Sequence, residues 1–281
     1  MILERKKILL TGAGRGIGRT IAELCAKEGA QLFLISRTES ELKTTLEIVK
    51  NYNNNSSYYV LDISDESSTK NIISSILKDN GNIDILINNA GVQLPIGQFY
   101  LNDLGEWKKN IEVNLFGMAN VTYYTVQEMI KTKKGKVINL SGGGSTSPRA
   151  NFSAYGVSKT AVVRFTETLA VELKKFNIDV NAVSPGAINT RMLDEVITSK
   201  ELSGVEYQEA LRRKNNGGGD PITAARLICY LASDLSDGIS GKLISANWDP
   251  WEQKDYQELL RADKDLGSIR RIDNKTFFKK S

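Results

Sequence analysis

The chain of 281 residues contains no histidine, and this absence removes more chemistry than any other feature of its composition. Nucleophilic catalysis by Ser-His-Asp or Cys-His groups is excluded, and so are the common zinc sites, in which histidine supplies ligands. The sequence therefore offers no candidate metal site.

Cysteine is scarce as well. The two cysteines, Cys25 and Cys229, each lie within an amphipathic helical pattern. Such a pattern favours two buried thiols in a reducing compartment over a disulfide.

Long apolar runs and dense blocks of one charge are also absent. No stretch approaches the ~20 apolar residues of a membrane-spanning helix, and the apolar run after MILERKK is too short for a signal peptide. The formal net charge is only +4, without a basic block. We expect a soluble cytoplasmic protein that binds neither a membrane nor nucleic acid.

Short apolar runs alternate with amphipathic helical segments, which predicts βαβ units and an α/β fold with a parallel sheet. The predicted strands cover residues 7–11, 32–36, 58–62, 83–88, 136–140, 179–184 and 242–246. The predicted helices cover residues 16–29, 39–50, 66–79, 103–131, 153–175 and 221–233.

Three segments interrupt this alternation: a polar loop at 51–57, a partly helical excursion at 189–220 and a tail from about residue 247. The tail is charged but rich in aromatic residues, which predicts that it docks onto something. Packing on its own domain is one interpretation, and a subunit contact or substrate lid is the other. The aromatic residues concerned are Trp248, Trp251, Tyr256, Phe277 and Phe278.

The first predicted strand runs through the turn TGAGRGIG (11–18) directly into a helix. Gly12, Gly16 and Gly18 suit a tight turn at which the backbone approaches a pyrophosphate held by the helix N-terminus. The spacing departs from G-x-G-x-x-G, because Ile17 occupies the sixth position from Gly12. The placement between strand and helix nevertheless predicts a dinucleotide site.

The second predicted strand ends in Ser36 followed by Arg37, where an NAD site usually carries an acidic residue. Arg15 is available in the first turn. A guanidinium binds a 2′-phosphate that a carboxylate would repel, so we predict NADP(H) in preference to NAD(H). The alternative is that these are two ordinary exposed arginines.

Tyr155 and Lys159 lie four residues apart in a segment with helical periodicity and therefore share one face. A free tyrosine has a pKa of ~10, and a neighbouring ammonium stabilises its phenolate. Such a tyrosine can deliver the proton that carbonyl reduction requires.

Taken together, these features resemble the compact branch of the short-chain dehydrogenase/reductase family over residues 5 to 246. This resemblance implies a single Rossmann-like, doubly wound domain over 1–246 with seven mostly parallel strands. The C-terminal extension over 247–281, expected to pack on the domain or on a neighbouring subunit, departs from the family pattern. The matching motifs are TGAGRGIG (11–18), VLDISD (60–65), NNAG (88–91), Asn114 in IEVNLFG, YGVSK (155–159) and SPGAINT (184–190).

The resemblance also implies roles for individual residues. Tyr155 would be the acid/base, Lys159 would bind the nicotinamide ribose and lower the tyrosine's pKa, and Asn114 would hold a water that links Lys159 to solvent. The excursion at 189–219 would be the substrate lid, and helices 103–131 and 153–175 would pack across two-fold axes of a homodimer or homotetramer. The implied cofactor-binding residues are Gly12, Arg15, Gly16, Ile17, Gly18, Ser36, Arg37, Asp62, Ile63, Asn89, Ala90, Gly91, Tyr155, Lys159, Pro185, Gly186, Ile188 and Thr190.

The chain departs from the family pattern at one catalytic position. The family serine lies thirteen residues before the tyrosine, where this chain has Gly142, so only the first serine of the usual pair, Ser141, is present. That serine hydrogen-bonds the substrate carbonyl, and losing one such donor typically lowers the rate about 10²–10³-fold.

Several groups are candidates to replace the missing hydroxyl. A one-residue slip would bring Ser141 into place, Ser145 or Ser153 would serve instead, or backbone N–H groups of 142–144 would face the oxyanion. The remaining alternative is a site that has lost its chemistry.

The leading interpretation is an NADP(H)-dependent oxidoreductase that reduces a small-molecule ketone or aldehyde to an alcohol, or catalyses the reverse. Retention of Asn114, Tyr155 and Lys159 favours an active enzyme. The first alternative is a catalytically degenerate dinucleotide-sensing protein. The second is a 3-oxoacyl-carrier-protein-type reductase.

Overall fold

A computed structural model describes residues 1–272 and contains one parallel sheet of seven strands in the order β3-β2-β1-β4-β5-β6-β7. The predicted doubly wound α/β fold is therefore confirmed. The strands are β1 Lys7–Thr11, β2 Gln31–Ser36, β3 Ser57–Val60, β4 Ile85–Asn88, β5 Gly135–Leu140, β6 Ile178–Ser184 and β7 Leu243–Ser245.

Helices connect successive strands and cover both faces of the sheet. They are α1 Gly16–Lys27, α2 Glu39–Lys50, α3 Glu66–Asn80, α4 Leu104–Ile111, α5 Met118–Thr132, α6 Ser153–Leu173, α7 Arg191–Thr198, α8 Glu206–Asn216, α9 Pro221–Ala232 and α10 Lys254–Ala262. A π-helical segment, Glu112–Gly117, joins α4 to α5, and short 3₁₀ turns cover 99–101, 174–176, 200–203 and 234–236.

The central strands are buried on both faces, as the apolar runs predicted. Every residue of β4 and β5 is buried, and most of β1 and β2 is as well. Covering helices exclude water from both sides of such strands, which is why the runs are continuous rather than alternating. The strand order reverses between β1 and β4, so a crevice opens at the carboxyl ends of these strands.

Two helical features differ from the periodicity. The predicted helix at 103–131 is interrupted by the π-helical segment Glu112–Gly117, which places an extra residue in one turn. The excursion at 189–220 contains two helices, α7 and α8, and its ends are joined by a bridge between Ile188 and Gly219. Neither feature follows from a count of apolar residues.

The C-terminal extension packs against the sheet domain. Trp251 and Leu260 are buried in the same core as α1 and α9, whereas Trp248 is exposed. The N–H of Leu243 in edge strand β7 donates to the Gly267 carbonyl at 2.6 Å, so the extension covers part of this sheet edge. Residues 273–281, which include Phe277 and Phe278, lie outside the described residues.

The two cysteines meet in this core. Cys25 on α1 and Cys229 on α9 are free and buried, with their Sγ atoms 3.3 Å apart, which confirms the predicted pair of buried thiols. No helix within residues 1–272 is long and apolar enough to cross a membrane.

Candidate active site

The turn after β1 has the geometry of a phosphate-binding turn. Gly12 and Gly16 adopt positive φ angles of 66° and 52°, which favour glycine. A Cβ on Gly18 would lie 2.0 Å from the Gly12 carbonyl oxygen, so only glycine permits this approach of helix and turn. Helix α1 begins at Gly16 without a side-chain cap, which leaves its first N–H groups available to an anion.

Asn89 holds this turn from the end of β4. Its Nδ2 donates to the carbonyls of Thr11 and Gly12, both at 3.0 Å. The backbone N–H groups of Asn89 and Ala90 donate to the Thr11 hydroxyl at 3.0 and 3.1 Å. The NNAG segment therefore fixes the shape of the glycine turn.

A cavity of about 420 Å³ extends along the carboxyl ends of β1, β2 and β4. Its lining residues fit a nicotinamide dinucleotide, because the glycine turn and the uncapped N-terminus of α1 line the cavity and offer backbone N–H groups to a pyrophosphate. Predicted cofactor residues that line it are Gly12, Arg15, Gly16, Ile17, Gly18, Ser36, Arg37, Asp62, Ile63, Asn89, Ala90, Gly91 and Thr190. Tyr155, Lys159, Pro185, Gly186 and Ile188 were predicted with them but are not part of this lining.

Both predicted arginines lie at the rim of the cavity and pair with carboxylates. Arg15 Nη1 is 3.0 Å from Glu41 Oε1, and Arg37 Nη1 is 3.6 Å from Asp62 Oδ2. Burial opposes ionisation of Asp62, but hydrogen bonds from Ser64 and the nearby Arg37 lower its pKa overall. Positive and negative side chains thus alternate where the 2′-substituent of an adenine ribose is expected.

Tyr155 lies in the first turn of α6 and is only 7% exposed. It packs in a small apolar cluster with Phe152 of the preceding loop and with Leu193, Val196 and Ala210 of α7 and α8. Burial raises the pKa of the Tyr155 hydroxyl, and the nearby Arg149 guanidinium opposes that rise. The predicted lid therefore covers the predicted acid/base.

Lys159 lies one turn further along α6 and is 4% exposed. Its Nζ donates to the Leu140 carbonyl at the end of β5 at 2.8 Å and lies 5.6 Å from the Tyr155 ring centroid. Burial lowers the pKa of Lys159 to about 8. The ammonium thus faces the tyrosine from within the protein.

Asn114 lies in the π-helical segment, and its side chain is fixed from several sides. Its Nδ2 donates to the Val92 carbonyl, to Asn110 Oδ1 and to Ser158 Oγ at 2.8–3.0 Å, and its Oδ1 accepts from the Val92 N–H at 2.8 Å. A Cβ on Gly91 would lie 3.0 Å from Asn114 Oδ1 and 3.4 Å from Lys159 Nζ. The fold therefore brings Asn114 and Lys159 to the same point beside the cavity.

The position of the absent serine lies directly against the tyrosine. A Cβ on Gly142 would be 2.3 Å from Tyr155 Oη and 3.0 Å from Cζ. The Tyr155 hydroxyl occupies the space that a side chain at residue 142 would need.

The structure does not bring Ser141 to Tyr155. Its Oγ donates to the Lys159 carbonyl at 3.4 Å, while its N–H donates to the Val183 carbonyl at 2.8 Å. The strand therefore continues in register to Ser141, and no slip brings this hydroxyl to the position of residue 142. A catalytic role for Ser141 stays a prediction, and in this structure its hydroxyl is bound to the Lys159 carbonyl.

The other two predicted serine donors have different surroundings. Ser153 Oγ accepts from Trp107 Nε1 at 3.0 Å, so it is bound to α4. Ser145 is buried, and its N–H closes a turn on the Gly142 carbonyl at 3.3 Å.

Two residues that the sequence reasoning missed contact the lid. Gln93 is buried, and its Nε2 donates to the Met192 carbonyl at 3.2 Å. Arg149 lies in the loop before α6 and pairs with Glu206 of α8. No motif indicates either residue, because both contacts join segments that are distant in sequence.

Comparison with known proteins agrees with this geometry. A family model described as short chain dehydrogenase matches residues 6–201. The chain is 34% identical over 245 residues to the 3-oxoacyl-(acyl-carrier-protein) reductase FabG of Thermotoga maritima. The alignment covers 87% of this chain and 97% of that protein.

Solved structures with similar folds include enzymes with bound cofactors. The structure of NAD⁺-bound xylitol dehydrogenase has a TM-score of 0.82 and 26% identity, covering 87% of this chain and 98% of that one. A tyrosine-to-phenylalanine variant of ElxO with NADPH bound has a TM-score of 0.76 and 30% identity, covering 86% and 97%. The chain therefore belongs to the short-chain dehydrogenase/reductase family and is a nicotinamide-dinucleotide-dependent oxidoreductase that acts on alcohol and carbonyl groups.

Proposed function

We propose that this chain reduces a small-molecule ketone or aldehyde, or oxidises the corresponding alcohol, with Tyr155 as proton donor or acceptor and NADP(H) as cofactor. The observation that carries the proposal is the convergence of Tyr155, Lys159 and Asn114, all buried, beside a glycine-lined cavity at the carboxyl ends of the strands. A protein that only senses a dinucleotide has no need of this trio.

In this proposal Tyr155 delivers its hydroxyl proton to the oxygen of the developing alkoxide. A nicotinamide dinucleotide, when held in the cavity, would supply the hydride for reduction of the carbonyl or accept it in oxidation of the alcohol. Lys159 stabilises the phenolate by its charge, and Asn114 connects the Lys159 environment to Val92 and Ser158. Phe152 and the apolar residues of the lid keep water away from this proton transfer.

The preference for NADP(H) is supported by Arg15 and Arg37, which line the same end of the cavity. The side chains of Arg15 and Arg37 are 46% and 53% exposed, so a 2′-phosphate has accessible guanidinium groups to bind in competition with Glu41 and Asp62. We expect Arg37→Ala to weaken NADPH binding far more than NADH binding, as measured by fluorescence titration. Equal losses of affinity for both cofactors would show that Arg37 does not bind the 2′-phosphate.

The test of the function is a panel of ketones and aldehydes scanned with NADPH and NADH, following cofactor absorbance. We expect turnover by the wild-type protein and its loss in Tyr155→Phe with unchanged NADPH affinity. Tight NADPH binding without turnover on any compound would favour the sensor instead.

A 3-oxoacyl-carrier-protein-type reductase is a second candidate, supported by the 34% identity to the Thermotoga maritima reductase. Gly142 argues for a different substrate geometry, because a side chain at that position would displace the Tyr155 hydroxyl from its observed place. Comparing a 3-oxoacyl thioester of the carrier protein with the free ketone panel separates the two candidates.

The proposal includes a cytoplasmic homo-oligomer. Apolar side chains on α5, α6 and the π-helical segment are at least half exposed, and two of them recur at a spacing of about four helical turns along α6. These residues are Phe116, Tyr123, Val157 and Val171. Light scattering on the wild type and on Val171→Glu would show whether these helices form the contact.

A further inference from the structure

Arg149 is the charged residue of the loop between β5 and α6, and its guanidinium lies near the Tyr155 ring. Its Cζ lies 3.7 Å from the Phe152 ring centroid and 5.8 Å from the Tyr155 ring centroid. The side chain is only 18% exposed, so water screens this charge weakly. Stacking on Phe152 fixes the guanidinium plane.

The partner of Arg149 comes from the lid. Glu206 is the first residue of α8, and its two carboxylate oxygens accept from Nε and Nη2 of Arg149 at 2.6 and 2.5 Å. Glu206 itself is only 24% exposed. A bidentate pair of this kind has a defined geometry, so the position of α8 determines where the guanidinium lies.

Two glycines of the β5–α6 loop lie next to Tyr155 and Arg149, and one of them, Gly142, occupies the position of the absent serine. A Cβ on Gly142 would touch Tyr155 Oη, and a Cβ on Gly143 would lie 3.6 Å from Arg149 Nη1. Neighbouring glycines thus face the tyrosine hydroxyl and the guanidinium.

Two charged groups that lie near the Tyr155 ring are Lys159 and Arg149. Lys159 approaches from its own helix, Arg149 from the preceding loop, and Glu206 from α8 through Arg149. Burial raises the pKa of the tyrosine, and Arg149 is the group that opposes this rise. The charge of Arg149 therefore favours the phenolate.

We propose that Arg149 is a positioning residue for Tyr155, whose charge favours the tyrosine phenolate, and that Glu206 places this charge when the lid is closed. The inference rests on the proposed function, in which Tyr155 is the proton donor or acceptor. It adds a link between the lid and the acid/base that the family motifs do not contain.

The two partners have opposite effects on the tyrosine. Arg149→Gln removes a positive charge and leaves Glu206 unpaired, so the pKa of Tyr155 rises. The rising limb of kcat/KM for alcohol oxidation then moves to higher pH, by roughly one unit for a charge at this separation. Glu206→Gln leaves Arg149 uncompensated and moves the same limb to lower pH.

The experiment measures pH profiles of kcat/KM for the fastest alcohol of the panel in wild type, Arg149→Gln, Arg149→Lys and Glu206→Gln. Arg149→Lys retains the charge and should return the limb toward its wild-type position. Lys214→Gln is the matched control, because it breaks the Lys214–Asp194 pair between α8 and α7, 2.7 Å long, without a group beside Tyr155. We expect Lys214→Gln to leave the limb in place.

A second readout does not depend on turnover. The ultraviolet absorbance of tyrosinate, taken as the difference between each protein and its Tyr155→Phe counterpart, titrates Tyr155 directly. If thermal unfolding shows that Arg149→Gln is poorly folded, Glu206→Gln and Arg149→Lys still give the direction in which the pKa of Tyr155 moves. The inference would be overturned if neither the pH profile nor the tyrosinate titration shifts in these variants. It would also be overturned if both shift in the same direction for Arg149→Gln and Glu206→Gln. Absence of turnover in the wild type, with the opposite tyrosinate shifts retained, would reject the proposed function and leave the electrostatic link.

Discussion

The molecule contains two glycine-rich turns that have the same position in a βα unit but differ in what the glycines meet. The turn of residues 12–18 follows β1, and the run of residues 142–144 follows β5. In the first turn, a Cβ at Gly18 would collide with the backbone of Gly12. In the second, a Cβ at Gly142 would collide with the Tyr155 hydroxyl, which belongs to a side chain.

The difference separates a glycine that the fold requires from a glycine that the site requires. Backbone cannot move away without distorting β1 and α1, whereas the Tyr155 side chain can shift, but it then leaves the position that the proposed proton transfer requires. Substitution in the first turn should therefore damage structure and cofactor binding together. Substitution at Gly142 should damage activity first.

The largest effect is expected for Gly18→Ala. The new Cβ would lie 2.0 Å from the Gly12 carbonyl oxygen and 2.6 Å from Asn89 Nδ2. Overpacking of this kind costs about 1–3 kcal/mol or more, which exceeds the gain of about 1 kcal/mol in helix propensity. Thermal unfolding should show a lower Tm, and a fluorescence titration should show loss of NADPH binding. Unchanged NADPH binding in Gly18→Ala would mean that the backbone of the turn can move apart to accommodate the new Cβ.

A smaller but specific effect is expected for Gly142→Ala. Displacing Tyr155 Oη by about 1 Å should lower kcat/KM on the order of 10²-fold, while NADPH affinity stays close to wild type. Steady-state kinetics and a binding titration measure the two quantities. A Gly142→Ser variant with higher activity than wild type would contradict the argument, because it would show that tyrosine and serine fit together.

The smallest effect is expected for Gly143→Ala, with Gly144→Ala as its matched control. At Gly143 the nearest atom is Arg149 Nη1 at 3.6 Å, an ordinary contact, so kcat/KM should change less than about threefold and stability by less than ~0.5 kcal/mol. Gly144 has a φ of 89° and lies 3.1 Å from the Gly156 Cα, so alanine there should cost about 1–2 kcal/mol. Urea unfolding measures the stability of both variants. Equal losses of stability would show that residues 143 and 144 do not differ in their need for glycine.

Most of the fold could be predicted because it depends on local pattern. The apolar runs of β1, β2 and β5 were found within one residue of their observed bounds, since buried parallel strands have no polar face. The ends of β3 and β4 were less accurate, and the π-helical segment around Asn114 was missed. The Asn114 side chain in this segment is held by Val92 and Ser158, which lie 22 and 44 residues away in sequence.

The candidate site was predicted as a set of residues rather than as an arrangement. Tyr155 and Lys159 follow from a spacing of four on one helix. The orientation of Ser141 does not follow from spacing, because its hydroxyl turns to the Lys159 carbonyl only once β5 and α6 are packed together.

By itself the sequence determined the doubly wound sheet, the glycine turn for a dinucleotide and the tyrosine–lysine pair, because periodicity and short spacings encode local geometry. Only the tertiary structure decided that Gly142 makes room for the Tyr155 hydroxyl and that Arg149 reaches Glu206 in α8. These two contacts depend on how the lid and the β5–α6 loop pack against each other, and packing between distant segments has no signature in a single sequence.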